Sequence, residues 1–265
     1  MLANFHTHTT FCDGKNTPEE MVLAALEQGF TALGFSGHGP TPFDLRYCMQ
    51  DIPGYAAEIR RLQKKYADNL PIFLGIEEDC FAPVNRADFD YIIGSSHYIH
   101  VDAVYYSVDS GEDYLKKAAD ACGGPGEMAE TYYRNFCAYI LERKPDIVGH
   151  FDLITKYEQS GGSLFFGSEA YWQTAEKYLR KAVESGCLFE VNTGAMARGL
   201  RTTPYPHERL LHILKKERAN VILSSDSHSA QTLDFGFGEV KALLKDVGFA
   251  HTFTLTRDGF VSAAL

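Results

Sequence analysis

Residues 2–14, which read LANFHTHTTFCDG, are the stretch that decides the fold of this chain. A short apolar run ends in His6-Thr7-His8, and Asp13-Gly14 follows a few residues later. Side chains two positions apart in a strand point to the same face, so His6 and His8 project together and one metal ion can bind both. An isolated pair of this kind is also typical of a solvated strand end. The metal interpretation therefore depends on whether the pattern recurs at other strand ends.

The length and composition favour one large α/β domain. The chain has 265 residues, of which 45% are hydrophobic and 13% aromatic, enough for one α/β barrel or two small domains. It contains no low-complexity segment, no short repeat and no long polar linker. We therefore expect a single domain over residues 1–265, with an insert at about residues 98–144.

Charge and cysteine content exclude several classes of protein. The formal net charge of −10 disfavours a nucleic-acid-binding surface, which normally needs a basic face. We expect a cytoplasmic protein that does not interact with membranes, since no signal peptide precedes the first strand and no apolar run approaches the length of a membrane span. The six scattered cysteines are expected to be free thiols, and Cys12 and Cys80, although close to ligand candidates, are expected to pack rather than bind metal. The sequence does not indicate an oligomeric state.

Short apolar strands alternate with amphipathic helices along the chain. Thr17, Pro18 and Glu20 form a capping box that starts the first helix. Further strands are predicted at 31–36, 71–76, 89–96, 146–149, 187–191 and 220–225, and further helices at 51–68, 112–122, 127–143, 168–185 and 206–218. A closing helix and an extended segment are expected within 233–265. Seven such units predict parallel pairing through right-handed crossovers in a distorted TIM-like (β/α)7 barrel, whose C-terminal strand ends form the functional face.

Residues of metal-binding types occupy the predicted C-terminal strand ends. They are His6, His8, His38, Glu77, His97, His150, Asp226 and His228. The remaining histidines, which lie elsewhere, are His100, His207, His212 and His251. A single histidine at a strand end is usually a polar residue bonded to the backbone at a loop start, but six such coincidences together with carboxylates favour a metal site. Imidazole and carboxylate ligands suit Zn, Fe, Mn or Co, so the identity of the metal stays open.

The order of these motifs resembles the PHP (polymerase and histidinol phosphatase) superfamily of metal-dependent phosphoesterases. The matching residues are His6-Thr7-His8, Asp13-Gly14, Ser36-Gly37-His38-Gly39, Gly75-Ile76-Glu77, Ser95-Ser96-His97, Gly149-His150-Phe151-Asp152 and Ser225-Asp226-Ser227-His228. Within the superfamily the chain is most similar to the monofunctional histidinol-phosphate phosphatases. That similarity lies in its length, in the insert after His97 and in the run from Val148 to Tyr157.

The resemblance implies a site for three divalent metal ions. The first ion would be bound by His6, His8, Glu77 and Asp226, the second by Asp13, His38 and His228, and the third by Glu77, His97 and His150. Glu77 would bridge the first and third ions. Some members of the superfamily have histidine at the position of Asp13, and a carboxylate there can alter the preferred metal without removing the site.

The resemblance also implies a metal-dependent phosphomonoesterase. Three divalent ions carry about +6, and three carboxylates with one hydroxide offset roughly 4, leaving about +2 to attract a phosphate dianion. Water bridging two ions loses its proton near neutral pH and becomes the nucleophile, while the ions polarise the phosphoryl oxygens. Asp226 or His228 is the expected acid or base for the leaving alkoxide.

Basic side chains in two loops are candidates for binding the phosphate. Arg198 resembles the phosphate-contacting arginine of the histidinol phosphatases, and a guanidinium can bind phosphate through two parallel hydrogen bonds. Arg201 follows in the same segment, and Lys156 occupies a basic position of the family after His150. For each of them the alternative is an ordinary solvated charge.

The insert is too long for an ordinary βα loop and is a candidate for covering the site. Tyr98 and His100 open the insert and are candidates for lining the pocket. Acidic residues that could bind a substrate amine are Asp102, Asp109 and Glu112. Most of these acidic residues are expected to be surface charges.

The leading hypothesis is hydrolysis of L-histidinol phosphate to L-histidinol and phosphate, a step of histidine biosynthesis. One alternative is a PHP phosphoesterase that acts on another small phosphate ester, such as a nucleotide, a sugar phosphate or a phosphotyrosyl peptide. The motifs at the metals do not separate these substrates, because all of them need the same ions. A remote alternative is a non-catalytic, metal-stabilised module, which is disfavoured because every ligand position is filled.

Overall fold

The computed structural model describes residues 1–158 and 163–265, which form parallel strands alternating with helices. The strands are β1 (Ala3–Asn4), β2 (Ala32–Phe35), β3 (Ile72–Asp79), β4 (Tyr91–Ser95), β5 (Tyr98–Val101), β6 (Val104–Ser107), β7 (Ile147–Val148), β8 (Leu188–Asn192), β9 (Val221–Ser224), β10 (His251–Thr256) and β11 (Gly259–Ala264). The helices are α1 (Pro18–Glu27), α2 (Ile52–Lys65), α3 (Glu112–Cys122), α4 (Pro125–Arg143), α5 (Glu169–Val183), α6 (Gly194–Ala197), α7 (Glu208–Lys216) and α8 (Phe237–Val247). The predicted parallel strands correspond to β1–β4 and β7–β9, and the predicted helices are all present.

The start of α1 shows how local sequence sets an element boundary. The Thr17 hydroxyl accepts a hydrogen bond from Glu20 N at 3.3 Å, and the Glu20 carboxylate accepts one from Thr17 N at 2.8 Å. Pro18 occupies the first helical turn, where its missing N–H has no cost. These contacts span four residues, so the predicted capping box is confirmed and the boundary needs no tertiary partner.

The parallel strands neighbour one another in the order β1-β2-β3-β4-β7-β8-β9, and β10 and β11 continue the sheet beyond β9. β9 pairs with β10 near its start, at Ile222. Farther along, the chain after β9 pairs with the chain after β1 through a parallel bridge between Thr7 and Ser227. Hydrogen bonds from His8 N to Ser227 O at 2.8 Å and from Ser227 N to His6 O at 3.1 Å accompany this bridge. The seam that joins the first and seventh parallel strands therefore carries predicted metal ligands on both sides.

The insert after β4 contains more regular structure than the sequence analysis predicted. The two expected helices are present as α3 and α4, but residues ahead of them form the antiparallel hairpin β5–β6. The hairpin turns at Asp102 and Ala103, both with positive φ. The short helix α6 and the antiparallel pairing of β10 with β11 at the end of the chain were also not predicted.

An apolar layer fills the inside of the sheet beneath the predicted metal ligands. Its members include Phe5, Phe73, Tyr91, Ile147, Leu188 and Ile222. On β3, Phe73 and Glu77 share one face because they are four residues apart, so the layer lies directly below the carboxylate. Gly75 makes room for the Tyr91 ring, since a Cβ there would lie 2.2 Å from a ring carbon. The dry layer thus forms the floor of the site.

The helices cover the outer face of the sheet. α1 and α2 pack over β2 and β3, whereas α3, α4, α5, α7 and α8 contribute to a larger cluster over β7, β8 and β9. Each of the longer helices buries one apolar side; on α2 that side is formed by Tyr55, Ile59 and Leu62. Within the described ranges, no helix has the length and apolar character needed to span a membrane.

Candidate metal centre

Glu77 lies at the middle of the cluster formed by the predicted ligands. β3 carries its buried carboxylate to the C-terminal end of the sheet. One oxygen, Oε1, lies 3.0 Å from His150 Nε2 and 3.3 Å from His97 Nε2. The other oxygen, Oε2, lies 2.8 Å from His38 Nδ1 and 3.4 Å from His6 Nε2. The two oxygens therefore face different sets of imidazoles, as a bridging carboxylate requires.

Asp226 closes the cluster on the seam side. Its Oδ1 lies 3.1 Å from His8 Nε2 and 3.7 Å from His6 Nε2, and the two histidine rings are 5.2 Å apart between centroids. Asp226 has a φ of 48°, a left-handed conformation that aspartate tolerates better than most residues. Gly194 leaves space for its carboxylate, because a Cβ there would lie 2.7 Å from Asp226 Oδ2. Backbone conformation and close packing together direct the carboxylate at His6 and His8.

Asp13 brings the loop after β1 to the outer side of the same cluster. Its Oδ1 lies 3.4 Å from His8 Nδ1, and its Oδ2 lies 3.1 Å from His228 Nε2 and 3.6 Å from His38 Nε2. Gly14 permits the tight turn of this loop, since a Cβ there would collide with the backbone of the preceding residues. Asp13 is the most exposed carboxylate of the predicted ligand set, so the cluster opens to the surface on this side.

Among the described residues, four groups of side chains have ligand atoms close enough together to bind an ion. They are His8, Asp13, His38 and His228; His6, His8 and Glu77; His6, His150 and Asp226; and His38, Glu77 and His97. All the predicted ligands are present, but the groups overlap. The division implied by the resemblance separates His8 from Asp13 and His150 from Asp226, whereas each of these pairs shares a group here. The assignment of ligands to individual ions therefore stays a prediction.

The donor atoms at the centre fit divalent metal ions. His6 Nε2, His8 Nε2 and Glu77 Oε2 are buried, and although other polar atoms approach as closely as 2.8 Å, no described residue meets them with hydrogen-bonding geometry. A buried polar atom without a partner costs about 1–3 kcal/mol. Three such atoms around one centre are explained by a cation that they coordinate, and imidazole nitrogen with carboxylate oxygen is a ligand set for zinc and related metals. The cluster can therefore bind divalent metal ions.

Electrostatics keep the central carboxylates ionised. Burial alone would raise the pKa of Glu77, but the charges of His38 and His6 hold that pKa well below its usual range. The pKa of Asp226 is also held low against the effect of burial, chiefly by the guanidinium of Arg198 and by His6. Ionised carboxylates are the form that binds metal, so these two groups need to release no proton when an ion binds.

Two buried carboxylates beside the ligands were not predicted. Glu190 on β8 lies 2.5 Å from His6 Nδ1. Asp79 at the end of β3 accepts a hydrogen bond from His97 N at 2.9 Å and lies 3.2 Å from His97 Nδ1. Each contacts the ring nitrogen that faces away from Glu77, which is how outer carboxylates orient metal-binding imidazoles. A glutamate in the interior of the apolar strand 188–192 is the sequence signal for such a residue.

These two carboxylates change the charge balance of the site. The ligand set predicted from sequence leaves about +2 when three divalent ions are present. Glu190 and Asp79 add negative charge within hydrogen-bond distance of two ligands and so reduce that excess. Attraction of an anionic ligand to the cluster would therefore depend on basic side chains as well as on metal ions.

Arg198 lies at the rim of the cluster. Its Nη2 lies 3.1 Å from Asp226 Oδ2, and its Nη1 lies 3.3 Å from His228 Nδ1. The residue directly follows α6, and 33% of its side-chain surface stays exposed. The guanidinium thus adjoins both the predicted ligands and the open side of the site.

Arg201 and Lys156, the other basic candidates, occupy different surroundings. Arg201 is buried, donates to Thr155 O at 3.3 Å and lies over the Tyr205 ring at 4.4 Å. Lys156 Nζ lies 3.2 Å from Asp109 Oδ2 and so links the loop after β7 to the insert. Arg201 supports a loop in this structure, and substrate roles for both residues stay predictions.

A pocket of about 260 Å³ opens beside the metal-ligand cluster. It is lined by Asp13, His38, Asp44, Arg46, Tyr47, Tyr98, Asp109 and Ser110. The hydroxyl of Tyr98, one of the two predicted lining residues, donates to Asp44 Oδ2 at 2.9 Å. His100, the other, is exposed and stacks on Tyr105 with a centroid distance of 4.3 Å, so the hairpin carries it away from the pocket lining.

The three acidic candidates of the insert are also separated by the fold. Asp109 lines the pocket, and although burial alone would raise its pKa, the charge of Lys156 holds that pKa below its usual range. Asp102 lies in the exposed turn of the β5–β6 hairpin, and Glu112 lies in the first turn of α3. Of the three candidates, Asp109 is therefore the one that lines the pocket.

Cys12 and Cys80 lie beside the cluster but belong to none of the ligand groups found in the described part of the chain. Cys12 Sγ is 3.6 Å from His8 Nδ1, and burial raises the pKa of the Cys12 thiol to about 12. Burial also raises the pKa of Cys80 well above its usual value. Thiols that stay protonated at neutral pH are poor metal ligands, which agrees with the packing role predicted for both.

Comparison with known proteins identifies the family. The PHP domain model matches residues 4–194, so the chain belongs to the PHP domain family. A Schizosaccharomyces pombe protein named "Probable histidinol-phosphatase" is 27% identical, over 94% of this chain and 87% of that protein. The histidinol-phosphatase of Bacillus subtilis is 26% identical, over 88% of this chain and 95% of its own length.

The fold is also found in a solved structure. The crystal structure of histidinol phosphate phosphatase from Lactococcus lactis, complexed with zinc, L-histidinol and phosphate, matches with a TM-score of 0.75 at 21% identity. The match covers 98% of each chain. This similarity, together with the order of the parallel strands, confirms the predicted α/β fold of the TIM-like class.

Proposed function

We propose that the protein hydrolyses L-histidinol phosphate to L-histidinol and phosphate, a step of histidine biosynthesis, as a metal-dependent phosphatase. The observation that carries the proposal is the convergence of the predicted ligands beside a small pocket that is lined by Tyr47, Tyr98 and Asp109. The names of the curated relatives, and the zinc, L-histidinol and phosphate bound by the Lactococcus lactis enzyme, support this choice of substrate.

The proposed cofactor is a set of three divalent metal ions. A zinc ion takes about four ligands, which is fewer than the side chains that converge here. Overlap between the ligand groups favours ions that share bridging residues, and the two oxygens of Glu77 face different imidazoles. Zn, Fe, Mn and Co all match these donor atoms.

The proposed chemistry divides between the ions and the protein. When bound, the ions activate a water molecule for attack on phosphorus and offset the charge of the phosphoryl oxygens. Arg198 would hold two of those oxygens through its parallel N–H groups. As the bond between phosphorus and the alcohol oxygen breaks, the alkoxide would take a proton from His228, since Asp226, the other candidate, is held ionised and has no proton to give. We favour His228 also because its side chain is 23% exposed and that of Asp226 is 8% exposed.

The pocket supports a small cationic substrate. Asp109 would bind the ammonium or imidazolium group, and Tyr47 and Tyr98 offer aromatic surface to an imidazole ring. A volume of about 260 Å³ is small compared with sites for larger ligands, which run from about 300 to 1,000 Å³. An amino alcohol with one imidazole fits this space better than a nucleotide does.

The test combines metal analysis of the purified protein with kcat/KM for histidinol phosphate, a nucleotide, a sugar phosphate and a phosphotyrosyl peptide. We expect bound divalent metal and a preference for histidinol phosphate of at least about tenfold, equivalent to about 1.4 kcal/mol. A smaller preference would contradict the substrate assignment. Failure to hydrolyse any phosphate ester with Zn, Mn, Fe or Co would instead favour a non-catalytic module.

We further propose that residues 1–265 form one domain that includes the insert. The Tyr132 hydroxyl on α4 donates to Ser96 O at 3.3 Å, and Lys156 contacts Asp109. The insert therefore packs on the strands that carry the site. Cytoplasmic location stays a prediction.

A further inference from the structure

Glu190 is a buried residue of β8 that contacts two of the predicted metal ligands, His6 and His150. Its Oε1 lies 2.5 Å from His6 Nδ1 and accepts a hydrogen bond from the hydroxyl of Ser224. Its Oε2 accepts hydrogen bonds from His150 N at 2.7 Å and from Asn192 Nδ2 at 3.0 Å. The residue is 1% exposed, so no solvent competes for these contacts. Both oxygens are therefore surrounded by donors, as a buried ionised carboxylate requires.

We propose that Glu190 is a positioning residue that determines which nitrogen of His6 faces the metal ions. A neutral imidazole carries one N–H, and the other nitrogen holds the lone pair that binds metal. When Nε2 binds a metal ion the ring is neutral, and because the carboxylate accepts at Nδ1, the remaining proton of His6 then lies on Nδ1. His6 Nε2 is the atom that is buried without a hydrogen-bond partner and lies 3.4 Å from Glu77 Oε2.

Glu190 also positions a second predicted ligand from another strand. The hydrogen bond from His150 N fixes the backbone just after β7, and His150 Nε2 lies 3.0 Å from Glu77 Oε1. Ser224 belongs to β9, so the carboxylate connects the ends of several neighbouring strands. One side chain thus orients one ligand through its ring and another through its backbone. This inference rests on the proposed metal centre and extends it.

Glu190→Gln tests the proposal with almost no change in size. One of the two acceptor oxygens becomes an NH2 group, which donates and cannot accept from the groups that face it. If the amide nitrogen faces His6, the ring must present Nδ1 as an acceptor, and the proton then lies on Nε2. We expect metal affinity to fall about 10–100-fold, measured by chelator competition with zinc and with manganese on metal-free protein.

Glu78→Gln is the matched control. Glu78 is also a buried glutamate, but its carboxylate accepts from Tyr139 Oη at 2.7 Å and from Arg143 Nε at 2.8 Å rather than from a predicted ligand. We expect this variant to lose thermal stability while its metal dissociation constants stay within about twofold of wild type. An equal loss of metal affinity in both variants would overturn the positioning role, since general destabilisation would then explain it.

Two further measurements separate the possible outcomes. Ser224→Ala removes one donor to Oε1 and should weaken metal binding a few-fold, which keeps the test available if Glu190→Gln does not fold. NMR of ¹⁵N-histidine-labelled, zinc-loaded wild type should show a proton on His6 Nδ1, and a proton absent from that atom would refute the inference. If wild type binds metal and Glu190→Gln binds it equally well, the inference alone fails. If wild type binds no metal, the proposed function fails with it.

Discussion

The metal-ligand cluster and the wall of the pocket are built by different physical means. The cluster consists of buried side chains at strand ends, held by further buried carboxylates such as Glu190. The pocket wall comes from the β5–β6 hairpin and the loop after β2, which meet through Phe43 stacked on Tyr105 at 3.7 Å and through Tyr98 bonded to Asp44. Strand ends are fixed by the barrel, whereas loops vary without disturbing it. Under the proposed function, reaction chemistry and substrate selection would therefore be located in separable parts of the molecule.

The two regions should also differ in their sensitivity to mutation. A buried ligand that loses its partners leaves charged groups without compensation, which costs several kcal/mol. Contacts in a partly exposed wall are worth about 1 kcal/mol each, because water replaces much of what is lost. Substitutions should therefore have large effects in the cluster and small, substrate-specific effects in the wall.

The largest expected effect is that of Glu77→Ala. It removes the carboxylate that faces four imidazoles, so metal content and turnover should be lost together, with turnover falling about 10³-fold or more. His8→Ala should behave similarly. Elemental analysis and turnover of a generic phosphate ester measure both quantities. A fully active, metal-free Glu77→Ala enzyme would refute the metal centre and remove the basis of the comparison.

Removing the metal from the intact protein should abolish activity and lower stability. Without cations, the ionised groups Glu77, Asp226 and Glu190 lie close together with reduced compensation. A ligand present at 1,000 times its dissociation constant stabilises by about 4 kcal/mol, so chelation should lower the melting temperature by several degrees. Calorimetry before and after dialysis against a chelator measures this change, and adding metal back should restore both properties. An unchanged melting temperature would mean that metal binding at the cluster does not stabilise the folded protein.

Arg198 and Arg201 offer a direct comparison between the two arginine environments. Arg198→Ala should raise KM at least about tenfold with metal content intact, since it removes about 1.4 kcal/mol or more of phosphate binding. Arg201→Ala should instead lower the free energy of unfolding by about 2 kcal/mol, because its buried contacts with Thr155 are lost. Steady-state kinetics and denaturant unfolding distinguish the two. If Arg201→Ala raises KM without lowering the free energy of unfolding, Arg201 binds substrate, as the sequence predicted.

Asp109→Asn should affect substrate selection without affecting the chemistry. Removing the charge of Asp109 should raise KM for histidinol phosphate by about tenfold. The kcat/KM for an aryl phosphate, whose leaving group carries no positive charge, should change by less than about twofold. Asp102→Asn, in the exposed hairpin turn, is the control and should leave both values unchanged. If kcat/KM falls equally for both substrates, Asp109 contributes to the reaction itself. The proposed separation between the cluster and the pocket wall would then be wrong.

The smallest expected effect is that of Tyr98→Phe. It removes the hydrogen bond to Asp44, worth about 1 kcal/mol, so KM should change by no more than about fivefold. His100→Ala provides the comparison on the same strand and should leave KM unchanged, since His100 stacks on Tyr105 outside the pocket lining. A larger effect for His100→Ala than for Tyr98→Phe would show that the substrate-binding surface extends along β5 as far as His100.

Local patterns were sufficient for the strands and for the predicted ligands. Each parallel strand is a short apolar run. Glu77 lies near the end of its strand and most of the other ligands follow theirs within a few residues, so parallel pairing brings them to one face. The β5–β6 hairpin was not predicted, because its turn at Asp102 and Ala103 lacks the glycine that usually marks a tight hairpin. The sequence therefore located the chemistry better than it located the pocket wall.

The sequence by itself determined the barrel class, the order of its elements and the residues that meet at the strand ends, since these depend on alternation and spacing. Only the tertiary structure decided that Glu190 contacts His6. His6 follows β1, Glu190 lies on β8, 184 positions later, and the fold brings the two side chains together. The tertiary structure also decided the difference between Arg198 and Arg201, which share a residue type and a loop. Gly199, with a φ of 69°, turns the chain between them and sends one guanidinium to the rim and the other into the interior. Contacts across the fold depend on which faces meet, and no local pattern encodes that.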